Sequence, residues 1–334
     1  MMEVCEGDAP SGTENAIVLP AFVNAHTHLG DSIVYPAPRG TVQEIVGPPD
    51  GYKFRVLRSK SEREKVAAMK AAIETMTQTG TTLFSDFREE GITGVGMLRD
   101  AFPEDAPRAV ILGRPLGIDQ DHDLRELLKS CDGLGMSALS DWPLDFLKML
   151  SAAARSAKKI FSIHVSESAR EDIDSVLDLR PDFVVHMTQA TDEDVGKCVD
   201  ARVPIVVCPR SNGFFGTVPN IPMFLKAGAT VALGTDNGMI ARPDMIQELK
   251  AAHRAGRMYG GISPGDAVNL ATSGGRKVLN AKAKITMEIS RQSDMVVIRV
   301  RDDDPLHELV TSARSEDVSA IIRGGRVGRA RPWK

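Results

Sequence analysis

Two histidines one residue apart, His26 and His28, close the apolar run PAFVNAHTHL (Pro20–Leu29). Side chains two apart on a strand project to the same side, so both imidazoles face one space. Imidazole is the commonest protein ligand of a catalytic divalent metal, and two that converge make half a site. Further candidates recur at the ends of strand-like segments. His164 lies at the end of IFSIHV, His186 closes DFVVH, and Asp236 follows TVAL in LGTDN. One histidine at a strand end is more often a hydrogen-bonded structural residue, and Asp236 alone fits a turn cap. Together, at the same end of successive segments, they form a constellation. Glu167 stands three residues past His164, in the loop beyond the strand, where its plain alternative is a solvated carboxylate at a helix start.

What must position these groups is an alternation of strands and helices. Thr81–Phe87, Arg108–Leu112, Gly133–Leu139, Ile160–Val165, Asp182–His186, Val203–Val207 and Thr230–Leu233 join the first segment as eight strand candidates. Ser61 and Glu64 form a capping box ahead of Val66, Met69, Ile73 and Met76 at helical spacing, and Gly80 ends that helix. Helices are also expected over His122–Ser130, from Pro143, over Ala169–Leu179, after Thr191, and in a short stretch ending at Gly228. CPRSNGFFGTVPN reads as irregular loop, and the proline-rich stretch Gly30–Lys60 as a lid over a site. Eight βα units over about 250 residues are the size of a TIM barrel, whose active sites sit at the C-terminal strand ends. A doubly wound open sheet is the alternative, but no GxGxxG turn follows the first strand. A helix from Pro264 to about Leu279 is followed by short strands at Ile285–Met287, Asp294–Val300 and Val318–Ile322, with a hairpin turn in Gly324–Arg329. The expected division is a barrel over 20–283 and a small β-domain from 1–19 and 284–334.

The 334 residues carry a formal net charge of −4, with 42% hydrophobic and 26% charged residues. That is ordinary for a soluble globular chain, and it offers no basic footprint for nucleic acid. Cys5, Cys131, Cys198 and Cys208 show no CxxC spacing, which fits reduced thiols better than a disulfide framework. No run reaches the roughly 20 apolar residues of a membrane span, and the first residues lack signal-peptide character. The expectation is a cytoplasmic protein acting on a small molecule, without nucleic-acid or membrane partners and with homo-oligomerisation left open.

PAFVNAHTHL, HVSE (His164–Glu167), VVH (ending at His186), CPRSN (Cys208–Asn212) and LGTDN (Leu233–Asn237) resemble, in order, the motifs of the amidohydrolase superfamily. The nearest branch holds cytosine deaminase, adenosine-type and guanine deaminases, and triazine chlorohydrolases. The resemblance implies one divalent ion held by His26, His28, His164 and Asp236. Binuclear relatives bridge two ions with a carboxylated lysine from strand four, and Gly133–Leu139 contains no lysine. Three imidazoles and a carboxylate suit Zn²⁺, with Fe²⁺ as the alternative. In the reaction so implied, a metal-activated hydroxide adds to a ring carbon. Asp236 takes the water's proton and delivers it to the leaving amine, and Glu167 protonates a ring nitrogen. His186 holds the hydroxide or the intermediate, or serves as a fifth ligand. Arg114, Asp141 and Asn212, which follow strands three, four and seven, are candidate substrate contacts. Two departures stand out: the segment before the first barrel strand is short for the family, and SALSDW (Ser137–Trp142) replaces a HAPY-like motif that carries a histidine. The expected activity is hydrolytic deamination of a purine, pyrimidine or pterin-like ring. Alternatives are hydrolysis of a cyclic amide or another C–N or C–halogen bond, a catalytically inactive scaffold, and an iron oxygenase. A third well-placed histidine and Glu167 argue against the last.

Overall fold

Short apolar strands, each too narrow to bury two faces alone, alternate with amphipathic helices in this chain, and the sheet they make closes on itself. The computed structural model describes residues 15–117, 121–283 and 293–329. In chain order the strands are β1 (Ala16–Pro20), β2 (Phe22–His28), β3 (Thr81–Arg88), β4 (Arg108–Gly113), β5 (Gly133–Met136), β6 (Ile160–Val165) and β7 (Phe183–His186). They continue as β8 (Ile205–Val207), β9 (Val231–Leu233), β10 (Asp236–Asn237), β11 (Met295–Arg299), β12 (Val318–Arg323) and β13 (Arg326–Arg329). β2 to β9 pair in sequence, all parallel, and β10 returns to β2 with Asp236 opposite Thr27 and Asn237 opposite His28. The result is a TIM barrel whose eighth strand runs in two pieces, β9 and β10.

Asn24 stitches the seam between those pieces. Its side-chain oxygen accepts from the Thr235 amide at 3.0 Å, and its Nδ2 donates to Thr235 Oγ1 at 2.7 Å. Gly234 must be glycine for space: a Cβ there would press on the Cβ and backbone of His26. Inside the barrel Val23, Leu83, Phe87, Val110, Leu112, Phe183, Val185 and Val206 form one buried cluster. Phe22, Phe84 and Phe161 point the other way, into the layer under the helices. This is the alternation expected of strands covered on both faces.

A separate antiparallel sheet, ordered β1–β11–β12–β13, stands beside the barrel, and Ala21 alone joins its first strand to β2. The expected strand at Ile285–Met287 lies outside the described residues. Of the stretch read as a hairpin turn, Gly324 and Gly325 make the turn at positive φ, while Arg326–Arg329 is β13 itself.

Several local expectations shift. The fourth barrel strand is only Gly133–Met136. The helix expected over Ala169–Leu179 is Ile173–Asp178, because the Glu171 carboxylate accepts from the Ser166 amide at 2.8 Å while Ser166 Oγ accepts from the Glu171 amide, which folds 166–171 into a closed loop. CPRSNGFFGTVPN contains a helical turn, Pro209–Phe214, with its proline at the first position. Gly30–Lys60 is also structured, with a 3₁₀ turn at Leu29–Val34 and helices at Val42–Val46 and Tyr52–Ser59.

Glu248 holds the Pro209–Phe214 turn from below. It is fully buried on the helix Met245–Arg257, accepts from the Arg210 amide at 2.9 Å, and leaves Oε2 without a hydrogen bond. Burial, only partly offset by Arg210, pushes its carboxyl up to about 7. The folded state therefore favours the protonated form. That contribution is complete below the unfolded value near 4.5 and is lost as pH rises through about 7. Glu248→Gln is expected to remove this loss, worth about 3 kcal/mol, so wild type and variant should diverge in melting temperature between pH 5 and pH 8.5. Parallel melting curves across that range would contradict it.

Candidate metal centre and active site

The strand ends bring the sequence candidates together. The ring centroids of His26 and His28 are 4.8 Å apart, and His26 lies 4.8 Å from His164 and 6.0 Å from His186. Phe87 is the floor of this cluster, edge-on to His26 at 4.4 Å. The register of β2 on β3 shifts between Asn24 and Thr27; His26 lies within that irregularity and His28 just past it, and both rings contact Phe87. Such an irregularity re-aims side chains beside active sites. Asp236 Oδ1 is 3.2 Å from His26 Nε2 and 3.6 Å from His28 Nε2, and its Oδ2 accepts from Ser211 Oγ at 2.6 Å and Asn237 Nδ2 at 3.0 Å. Ligand atoms of His26, His164, His186 and Asp236 all fall within 4.8 Å of one another.

Proton accounting shows that this arrangement fits a cation. His164 Nδ1 lies 2.7 Å from the Met136 carbonyl, which can only accept, so Nδ1 carries the proton. His28 Nδ1 donates to the Glu89 carboxylate at 2.9 Å. Burial lowers the pKa of both imidazoles, His28 to about 3 despite Glu89, and His164 well below its usual value. Both rings are therefore neutral, with lone pairs on Nε2, and these nitrogens sit 3.2 Å apart. Two lone pairs facing each other beside a carboxylate repel unless a positive charge lies between them. The donor set suits a divalent metal, with both Nδ1 protons fixed by outer partners in the usual way. The backbone concurs: Ser166, His186, Met187 and Asp236 hold positive φ of 50°, 80°, 56° and 59°. Non-glycine residues there cost of order 1–3 kcal/mol each and collect at functional sites.

Glu167 stands on the open side, its side chain 17% exposed, with Oε2 3.5 Å from His186 Nε2. Burial raises its pKa, with His186 opposing. Asn212 Nδ2 donates to His186 Nδ1 at 3.1 Å, which leaves the His186 proton on Nε2, aimed at Glu167. Asn212 is fully buried behind His186 and is not among the residues lining the pocket. Arg114 and Asp141 do line it, around a cavity of about 120 Å³. Arg114 is buried, its Nε donating to the Gly135 carbonyl and its Nη1 3.8 Å from Glu89 Oε1. Val42, Gln43, Val46 and Pro48 of the lid segment line the same cavity. Arg88 does not, being fully buried between Asp86 and Glu89.

Three further groups belong to the site and carry no signal of their own in the sequence. Glu89, the partner of His28, is one of two glutamates in REEG just past β3, a position without a motif. Glu171 ties the His164–Glu167 loop and borders the pocket. Lys53, buried at the Glu89 carboxylate, comes from the lid. Ligand atoms of His28, Asp31 and Glu89 also cluster, but the Lys53 ammonium already sits 3.2 Å from Asp31 and 3.0 Å from Glu89. Among the described residues no helix is long and apolar enough to cross a membrane.

A model of the amidohydrolase family matches residues 17–328. An uncharacterized protein of Methanocaldococcus jannaschii is 33% identical over 79% of this chain and 73% of its own length. A 5-methylthioadenosine/S-adenosylhomocysteine deaminase of Halobacterium salinarum is 26% identical over 97% of this chain and 85% of its own. Among solved structures, the zinc complex of an atrazine chlorohydrolase from Arthrobacter aurescens superposes with a TM-score of 0.77, at 17% identity, over 95% of this chain and 85% of that one.

Proposed function

The chain belongs to the amidohydrolase family and is a hydrolase of carbon–nitrogen bonds; from that premise we propose that it hydrolytically removes an exocyclic amine from a purine, pyrimidine or pterin-like ring. The observation that carries this reading is the pairing of Glu167 with the Asp236 centre: a carboxyl with a raised pKa on the pocket side, and on the metal side a carboxyl that, despite burial, His26 and His186 hold well below its usual range. Two carboxyl groups whose environments push them apart divide the acid and base roles between them.

We assign the metal to His26, His28, His164 and Asp236, as zinc with ferrous iron the alternative. When bound, such an ion supplies a water acidified to near neutrality. Asp236 Oδ1 accepts the proton of the attacking water and passes it to the departing amine, while Ser211 and Asn237 fix the carboxylate through Oδ2. Glu167 donates a proton to the ring nitrogen beside the attacked carbon and takes back the proton of the added hydroxyl as the amine leaves and the carbonyl forms. His186, oriented by Asn212, donates from Nε2 to the oxygen newly attached to the ring. Arg114 and Asp141 contact the far edge of the substrate.

A panel of aminated heterocycles and cyclic amides distinguishes the readings. Ammonia should appear one-for-one with loss of an aminated ring, and cyclic amides should survive. Ring opening or halide release without ammonia would move the assignment to the other hydrolases of the family.

A further inference from the structure

The lid helix Tyr52–Ser59 sends one charged side chain into the interior. Lys53, at the start of the helix Tyr52–Ser59, is only 3% exposed, and its ammonium donates to Asp31 Oδ2 at 3.2 Å and Glu89 Oε1 at 3.0 Å. The same Glu89 oxygen accepts from His28 Nδ1, while Glu89 Oε2 accepts from Arg88 at 2.6 Å. Arg88 also pairs with Asp86, whose Oδ2 accepts from the Leu29 amide and Thr27 Oγ1. Packing around Arg88 is tight enough that a Cβ on Gly30 would run into the guanidinium.

Counting charges shows what Lys53 does there. Asp31, Asp86 and Glu89 are three buried carboxyl groups; Lys53 and Arg88 hydrogen-bond to them, and Arg114 Nη1 stands 3.8 Å from Glu89 Oε1. With the helix Tyr52–Ser59 undocked, Arg88 would still hold Asp86 and Glu89 Oε2, but Glu89 Oε1 would lose its closest cation and keep only Arg114 at 3.8 Å. Asp31, fully buried with Oδ1 already lacking a partner, would lose the one ammonium it has. A buried carboxylate stripped of one partner shifts toward the cations that remain. Glu89, drawn toward Arg88 and Arg114, would then be a poorer acceptor for the proton that His28 carries on Nδ1, with its lone pair on Nε2.

We infer that Lys53 is a positioning residue for the metal ligand His28: lid docking sets the Glu89 carboxylate, Glu89 sets the His28 tautomer and ring, and metal binding and lid closure are therefore linked equilibria. The linkage rests on the metal centre and not on which bond the enzyme hydrolyses. It is reciprocal, so the factor by which the docked lid tightens metal binding is the factor by which metal favours the docked lid. Outer partners of metal-bound histidines are typically worth about 10- to 100-fold in metal affinity. The lid is then more than a cover. It completes the support of a ligand from a distance in sequence.

The test uses the full chain and zinc alone. In wild type, zinc should slow proteolytic cleavage within residues 30–60 and leave other sites unchanged. Lys53→Met keeps most of the stem and removes the charge; it should weaken zinc about 10- to 100-fold in competition with a chromogenic chelator, and cleavage of its lid should no longer respond to zinc. Lys53→Arg should recover part of both effects. Wild-type lid cleavage that ignores zinc overturns the linkage, whatever the variants do. So does a folded Lys53→Met that binds zinc as wild type.

Discussion

Glu167→Gln is expected to lose at least a hundredfold in kcat while retaining its metal and its affinity for substrate. Addition of water to an aromatic ring carbon pushes negative charge onto the neighbouring ring nitrogen. Without a proton there, the tetrahedral species is too high in energy to form at a useful rate. General-acid help of this kind is typically worth about a hundred- to ten-thousand-fold. Glutamine keeps the shape and a hydrogen-bond donor but cannot hand over a proton, so the loss falls on kcat. Glu167 is well placed for that transfer, being partly exposed to the cavity and faced by the Nε2 proton of His186. Its pKa is raised by burial, so more of the acid form is present at neutral pH than for a free glutamate. The sign of the pH effect follows. An acid must be protonated to act, so kcat should fall as pH rises through the folded value of Glu167. Glu167→Gln should abolish that limb along with most of the rate. Near-normal turnover at full metal occupancy would remove the proton-transfer role and favour a hydrolase acting on a bond that needs no ring protonation.

What the sequence made legible follows from which interactions are local. The barrel can be read because each βα unit repeats its own hydrophobic period, and because capping boxes such as Ser61/Glu64 and Thr191/Asp194 mark helix starts within four residues. The candidate ligands in HTH, HVSE and LGTDN are legible because each closes a strand-like segment, while the register irregularity at His26 and the positive φ of Asp236 that complete their aim are not. What escapes depends on pairings distant in the chain. Glu89 matters because His28, 61 residues away, donates to it, and Lys53 because Asp31 and Glu89 lie 22 and 36 residues off. Neither stands at a special period, and in isolation each reads as a solvated charge. Asn212 lies on the loop where the sequence puts it, yet it meets His186 where a substrate contact is expected. That hydrogen bond depends on the helical turn Pro209–Phe214, which the proline and glycine punctuation disguises as irregular loop. The late start of the helix at Ile173 has the same origin, a Ser166–Glu171 exchange that competes with helical hydrogen bonds.

Removal of the metal should abolish activity entirely, and zinc alone should restore it, at one equivalent per chain. The one-ion expectation has two physical grounds. β5 reads GLGM and offers no lysine to bridge a second ion. The other acidic grouping beside the site, His28–Asp31–Glu89, already holds the Lys53 ammonium where a second cation would sit. His26→Ala and Asp236→Ala should each bring bound metal down to background. The first removes a ligand, and the second removes the carboxylate that faces His26 and His28 while leaving Ser211 Oγ without its acceptor. The pH dependence of affinity adds a finer check. Protons compete with metal for an imidazole only below that imidazole's own pKa, near 6.5 for an exposed histidine. Here burial depresses His26, His28 and His164, with His28 at about 3. Zinc affinity should therefore fall far less between pH 7 and pH 5 than it does for a site of exposed histidines. Two tightly held ions, or an active preparation free of metal, would contradict the centre itself. Zinc lost steeply below pH 6.5 would instead mean that the imidazoles are not held neutral, and that the facing lone pairs of His28 and His164 are not what draws the cation.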